Sequence, residues 1–257
     1  MWPGQSGPLA LLCGFAFLAG FVDAIAGGGG LIQLPACLIL FPMMPVVTMM
    51  GTNKMASLFG TSVATTRFAR SVRLDWHVVL PAAGTAFVFS GLGSRTVSVL
   101  NPGILKPVVL GLLIVAAIYV YVVKDIGLEH RPRHGRAAGR WLGALVGAAL
   151  GFYDGFFGPG TGSFLILIFA SWFGFEFLVA SGSAKVINFA TNLASVIYFV
   201  ATRQVLYGLA IPMAVCNMAG SMAGAHLAIL KGSRFVRWVF LVIVGGLIVK
   251  LGRDMMG

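Results

Sequence analysis

Charge is what this sequence has least of. Only 10% of its 257 residues are Asp, Glu, Lys or Arg, and just seven are acidic. Soluble domains carry about 25% charged and about 45–50% apolar residues, whereas here 58% are hydrophobic. That balance excludes a water-soluble globular enzyme or binding module and points to an integral membrane protein. Cysteine is scarce too: Cys13, Cys37 and Cys216 all lie in apolar stretches. An odd number with no metal-like spacing excludes a disulfide framework and a thiolate metal site, so the thiols read as small core hydrophobes. The four histidines, His77, His130, His134 and His226, are scattered. No Ser–His–Asp or His–Cys spacing stands out, so no catalytic residue, metal or cofactor is expected. His226, in an apolar setting, reads as a hydrogen-bonded core residue. The glycine runs neither follow a strand nor contain GK[ST], which excludes a nucleotide loop.

What is present is a succession of apolar runs. Their periodicity and breakers give five segments per half, at about 8–26, 31–41, 46–67, 76–98 and 102–124, then 141–157, 162–174, 177–202, 207–229 and 234–253. Helices of about 20 apolar residues each account for nearly the whole length. The start, MWPGQSGPLALLCGFAF, has no basic n-region and reads as the first membrane segment, not a cleavable signal. The second segment of each half is short: about eleven residues at 1.5 Å each is about 16 Å, half a bilayer. It is therefore a half-helix or one limb of a re-entrant hairpin.

The runs are duplicated. GFVDAIAGGGG at 20–30 returns as GFYDGFFGPGTG at 151–162, pairing Gly20, Phe21, Asp23, Gly27 and Gly29 with Gly151, Phe152, Asp154, Gly158 and Gly160 at an offset of 131. The same offset pairs Gly51 with Gly182, Lys54 with Lys185, Pro81 with Pro212, Ser90 with Ser221 and Gly93 with Gly224. The expected fold is thus all-α and membrane-embedded: a first repeat over 1–124, a basic linker over 125–140 and a second repeat over 141–257. The net charge of +11 forms no nucleic-acid-binding face. Arg67, Arg70, Arg73, Lys124, Arg131, Arg133, Arg136, Arg140, Lys231, Arg234 and Arg237 fall on one side of a five-crossing plan. Only Arg95, Lys106, Arg203, Lys250 and Arg253 fall on the other. The positive-inside rule puts the linker in the cytoplasm, and an odd number of crossings per half makes the repeats inverted. Re-entrant breaks would make them parallel instead.

Three features carry chemistry. Lys54 and Lys185 sit in small-polar clusters with Thr52, Asn53, Ser183, Asn188 and Asn192. A lysine at membrane depth costs at least about 2.5 kcal/mol and calls for a partner or a watery cavity; the alternative is a helix-end lysine snorkelling to the headgroups. Asp23 and Asp154 each precede a lysine by 31 residues, as a structural ion pair or as proton-coupling carboxylates. The glycine breaks at Gly28, Gly29 and Gly30, and at Gly160, Thr161 and Gly162, restart helices whose free N–H groups and positive dipole ends suit an anion. Gln33, Thr161 and Ser163 are candidate further donors there.

These motifs together, Gly–Phe–x–Asp followed by a glycine run in each half, then GTNK and SGSAK, resemble the sulfite exporter TauE/SafE family, also called the 4-toluene sulfonate uptake permease family. The resemblance covers essentially the whole chain. It implies a multi-pass permease of the cell inner or plasma membrane for sulfite, sulfonates or related organic anions. The partners it implies are a small anion, the lipid bilayer and, compatibly, further copies of the chain. Pro159 and Thr161 in the second glycine run, and Ala184 opposite Asn53, depart from exact duplication. The competing reading is a membrane scaffold or membrane enzyme with purely structural broken helices. The charge count makes a direct prediction: reporters fused at either terminus read periplasmic, and one inserted at Gly135 reads cytoplasmic. Opposite locations for the two termini would exclude the inverted ten-segment plan.

Overall fold

A computed structural model describes residues 6–100 and 133–256. The expected segment 102–124 and the linker up to residue 132 lie outside the described residues. Within them are eight helices and no strand: α1 (Ser6–Ala26), α2 (Gly30–Leu40), α3 (Val46–Ser71), α4 (Trp76–Val99), α5 (Arg136–Phe156), α6 (Thr161–Ser171), α7 (Phe177–Ala201) and α8 (Tyr207–Met256). Local chemistry sets their ends. Pro45 precedes α3, and the Asp75 carboxylate accepts the His77 amide to cap α4. α5 begins five residues ahead of the expected start because Gly135 is extended and RAAGR after it is a good helix former. The two last expected segments run on as α8, bent at Gly232, which has φ 72° and ψ −168°.

Four helices are long and apolar enough to cross a membrane, at Gly7–Ala26, Trp76–Val99, Phe177–Ala201 and Tyr207–Val236. α3 and α5 are 26 and 21 residues long but less apolar. In α3 the cause is an inward polar face, since Thr52, Asn53, Lys54 and Thr61 are all buried. The outside is the reverse: Leu11, Leu80, Val88, Ile197, Ile211 and Val215 are exposed. Polar groups inside and bare aliphatic side chains outside describe a protein solvated by lipid. His226 departs from its expected place; it is exposed on α8, on the face away from the core.

The two halves are exchanged, not side by side. α4 of the first half packs along α5 of the second, and α1 of the first along α8 of the second. α3 meets α8 as α7 meets α4. Each pairing maps onto its counterpart under the 131-residue offset. Thr61 and Asn192, themselves related by that offset, touch through an Nδ2-to-Oγ1 contact of 3.4 Å. Equivalent residues of the two halves thus meet directly.

Small residues permit the close crossings. Along α5, Gly143, Gly147, Gly151 and Gly155 recur every four residues and face Val78, Ala82, Ala86 and Ser90 of α4 at the same spacing. A Cβ on Gly147 would stand 2.1 Å from the Ala82 carbonyl oxygen, and one on Gly155 1.9 Å from that of Ser90. Gly20, Gly220 and Gly224 do the same where α1 crosses α8. A buried hydroxyl seam adds direction: Ser90 bonds the Thr191 carbonyl oxygen and Ser195 Oγ, each at 2.9 Å, and Thr85 bonds the Ala144 carbonyl oxygen at 2.8 Å.

This packing separates two effects of the same substitution. Gly→Ala gains about 1 kcal/mol of helix propensity, but overpacking typically costs about 1–3 kcal/mol. Gly84, where an added methyl would meet nothing within 4 Å, should therefore tolerate or favour alanine. Gly147→Ala should lower the melting temperature of detergent-purified protein, and equal melting of the two variants would refute the close crossing.

Candidate functional site

α1 and α5 each end in a glycine with positive φ, Gly27 at 75° and Gly158 at 96°. Only glycine adopts such angles without strain, which is why both helices stop there. The chain then restarts as the half-helices α2 and α6, and the two breaks meet backbone to backbone. A Cβ on Gly27 would lie 2.3 Å from Gly162 C, and one on Gly30 would lie 3.0 Å from Pro159 Cα. The restarts differ. At α2 the amides of Leu31, Ile32 and Gln33 bond back to Gly28 and Gly29, and the Gly29 amide lies 3.4 Å from Asp23 Oδ1. At α6 the Thr161 and Phe164 amides are similarly used, whereas those of Gly162 and Ser163 have no backbone partner among the described residues. The Gly28 and Gly30 amides at the first break likewise have no backbone partner among the described residues, so both breaks present free donors.

Both acid–base pairs form, and both cross between the halves. Lys54 Nζ lies 2.5 Å from Asp154 Oδ2, and Lys185 Nζ lies 2.8 Å from Asp23 Oδ2. Lys54, Asp154 and Lys185 are buried, and Lys185 is wholly inaccessible. Removing one partner of such a pair strands the other charge and typically costs about 3–5 kcal/mol. Pairing explains how lysines persist at this depth, and it rules out snorkelling for both.

Around the breaks lies a cavity of about 40 Å³, on a scale where about 10–15 Å³ holds one water. Of the residues singled out by sequence, Asp23, Gly29, Gly30, Asn53, Lys54, Asp154, Gly162, Asn188 and Asn192 line it. Gly28, Thr52, Gly160, Thr161, Ser183 and Lys185 do not. Thr52 Oγ1 bonds the Thr48 carbonyl and accepts the Leu206 amide, joining α3 to the start of α8. Ser183 bonds the Val179 carbonyl within its own helix, and Thr161 bonds the Gly158 carbonyl across the break. Ser163, a candidate donor, instead bonds the Ala26 carbonyl at 2.9 Å. Gln33 is in the lining, and so are Ser57, Thr61 and Asn217, which sequence reasoning did not nominate. The available signal for Asn217 is a lone amide in the apolar run AVCNMAG.

Three lining amides have an orphaned polar atom: Gln33 Nε2, Asn53 Oδ1 and Asn188 Oδ1. Each residue is at least nine-tenths buried. An unsatisfied buried group costs about 1–3 kcal/mol, so three around one cavity mark a place where a ligand or water completes the hydrogen bonding.

The far end of α6 is tied to the chain between the halves. The Arg133 guanidinium donates to the Ser171 carbonyl oxygen at 2.7 Å, and His134 Nε2 lies 3.1 Å from the Trp172 carbonyl oxygen. These basic groups cap a helix C-terminus, so Arg133 is structural and is no neutral surface position.

Known proteins resemble this chain along nearly its whole length. The family description "Sulfite exporter TauE/SafE" matches residues 12–251. A "Probable membrane transporter protein ORF9" of a Sinorhizobium species is 33% identical over 246 residues, covering 96% of this chain and 93% of the relative. A "Probable membrane transporter protein" of Haemophilus influenzae is 34% identical over 239 residues, covering 91% of each chain. "Probable membrane transporter protein YfcA" of Escherichia coli K12 is 32% identical over 249 residues, covering 97% of this chain and 91% of the relative. No solved structure matches. With the family description and these relatives each spanning nearly the whole chain, the protein belongs to the sulfite exporter TauE/SafE family of multi-pass membrane transporters.

Proposed function

We propose that this transporter moves a small anion of the sulfite or sulfonate class, bound at the cavity where the two glycine breaks meet. The observation that carries the reading is Lys54: a buried cation at a polar cavity, held by a carboxylate from the opposite half. The family description and the relatives' names are those of transporters, which supports transport over catalysis.

The chemistry follows from competition. An anion arriving at Lys54 displaces Asp154, because two negative charges on one buried ammonium repel each other. At about 4 Å and an effective dielectric near 20, a monoanion gains about 4 kcal/mol from the lysine before desolvation. Asp154 then needs a proton or a new donor. Protonation leaves Lys54 to the anion, and deprotonation on the other side expels the anion as the pair re-forms. In the inverted plan, the two halves tilt about the touching breaks and expose the cavity to each side in turn. The crossed ion pairs lie where the halves must move past each other.

Uptake and efflux in proteoliposomes, with a panel of sulfite, sulfonates and carboxylates and with or without a proton gradient, test the reading. Lys54→Met should weaken binding of the transported anion by about 100-fold, near 3 kcal/mol of the gross Coulomb gain. Exposed Arg140→Gln is the appropriate control, since Arg133 caps α6. Unchanged affinity in folded Lys54→Met protein would remove the mechanism. Asp154→Asn should retain anion binding but lose its dependence on the proton gradient; preserved coupling in that variant would exclude the proton role.

A further inference from the structure

The repeat leads one to expect two equivalent half-sites, one at each lysine, but the lining of the cavity is duplicated only in part: Asp23 with Asp154, Gly27 with Gly158, Ser57 with Asn188 and Thr61 with Asn192 are related by the 131-residue offset, and the rest is not. With Lys54 the lining includes Gln33, Asn53 and Asn217. The residues 131 positions away are Phe164, Ala184 and Ala86, none of which lines the cavity. Ala184 and Ala86 are fully buried, and Phe164 packs half-buried on the apolar core. Three amides of the lining thus have apolar groups as their counterparts under the repeat. Lys185 does not line the cavity and is wholly inaccessible.

The polar side is also oriented. Asn217 Nδ2 lies 3.2 Å from the Ala16 carbonyl oxygen, an acceptor that cannot turn into a donor. That contact fixes which end of the Asn217 amide carries the N–H groups. The same Nδ2 donates to Gln33 Oε1 at 2.7 Å, which in turn leaves Gln33 Nε2 as the free end. Gln33 Nε2 is a buried donor without a partner, in a residue lining the same cavity as Lys54. Gly158 keeps the Lys54 head clear, because a Cβ there would stand 3.2 Å from its Nζ.

We infer that the duplicated chain has a single, one-sided binding site, in which Lys54 supplies the charge and Gln33, set by Asn217, donates a hydrogen bond to an oxygen of the bound oxyanion. The Lys185–Asp23 pair is its structural counterpart, a lock on the opposite break. What fills the site rests on the anion-transport reading; that it is one-sided does not. One oxyanion binds per chain, and its recognition is sensitive to an amide absent from the pseudo-equivalent position.

Two measurements keep those statements separate. In protein with Cys13, Cys37 and Cys216 replaced by alanine, single cysteines are introduced as Gln33→Cys, Asn53→Cys, Phe164→Cys and Ala184→Cys. The probe is the anionic thiol reagent sulfonatoethyl methanethiosulfonate, applied to folded protein in liposomes. Gln33→Cys and Asn53→Cys should label and the other two should not. Equal labelling on both sides, or none at Gln33→Cys, overturns the one-sided site whatever the anion is. Sulfite affinity is then measured for cysteine-containing protein, Gln33→Leu and the apolar-side control Phe164→Leu. Gln33→Leu should weaken sulfite by about tenfold, the scale of one hydrogen bond to a charged group, with Phe164→Leu within about twofold. A Gln33→Leu affinity equal to that of the unsubstituted protein overturns the recognition role. One-sided labelling without any sulfite binding supports the one-sided cavity and tells instead against sulfite as its occupant.

Discussion

The crossed ion pairs are the constraint around which the rest of this molecule is arranged. A lysine and an aspartate of one half are buried, and neither finds its partner within that half. Each half must therefore bring its broken helix against the other's third helix, and the helix pairing has to be exchanged for both contacts to form. The glycine spacing on α5, and at the crossing of α1 with α8, makes that exchange sterically feasible. The hydroxyl seam from Ser90 to Ser195 then fixes it in register.

Much of this plan is legible in the sequence because it depends on residues whose physical preferences are strong. Glycine runs stop helices, a lysine in an apolar run demands compensation, and a constant offset of 131 over many residues marks duplication. Half-helices are readable from the length of apolar sequence between breaks. The spacing of Gly143, Gly147 and Gly151 likewise announces a packing face, which is the one set against α4.

What sequence does not supply is the partner across space. Asp23 and Asp154 precede their own lysines by the same interval, yet each bonds the lysine of the other half, because pairing is decided by helix exchange. Thr52, Ser183 and Thr161 stand near the lysines or the breaks along the chain, but not around the cavity. Helical rotation turns Thr52 and Ser183 to local carbonyls, and Thr161 closes its own turn. Asn217 escapes a sequence reading for the complementary reason: its importance comes from Gln33, 184 positions away. His226 shows the limit of apolar context as a guide, since in lipid the outside of a protein is as apolar as its core.

The exchange of partners also has a consequence in time. A ribosome completes the first repeat before the second exists, so α1 and α3 enter the membrane with Asp23 and Lys54 lacking the counter-charges they hold in the finished fold. On the gentlest scale each bare charge at the bilayer centre costs about 2.5–3.5 kcal/mol. Until Asp154 and Lys185 emerge about 100 residues or more later, Asp23 and Lys54 are without the partners they hold in the finished fold. The crossed pairs can therefore form only once the second repeat has been made.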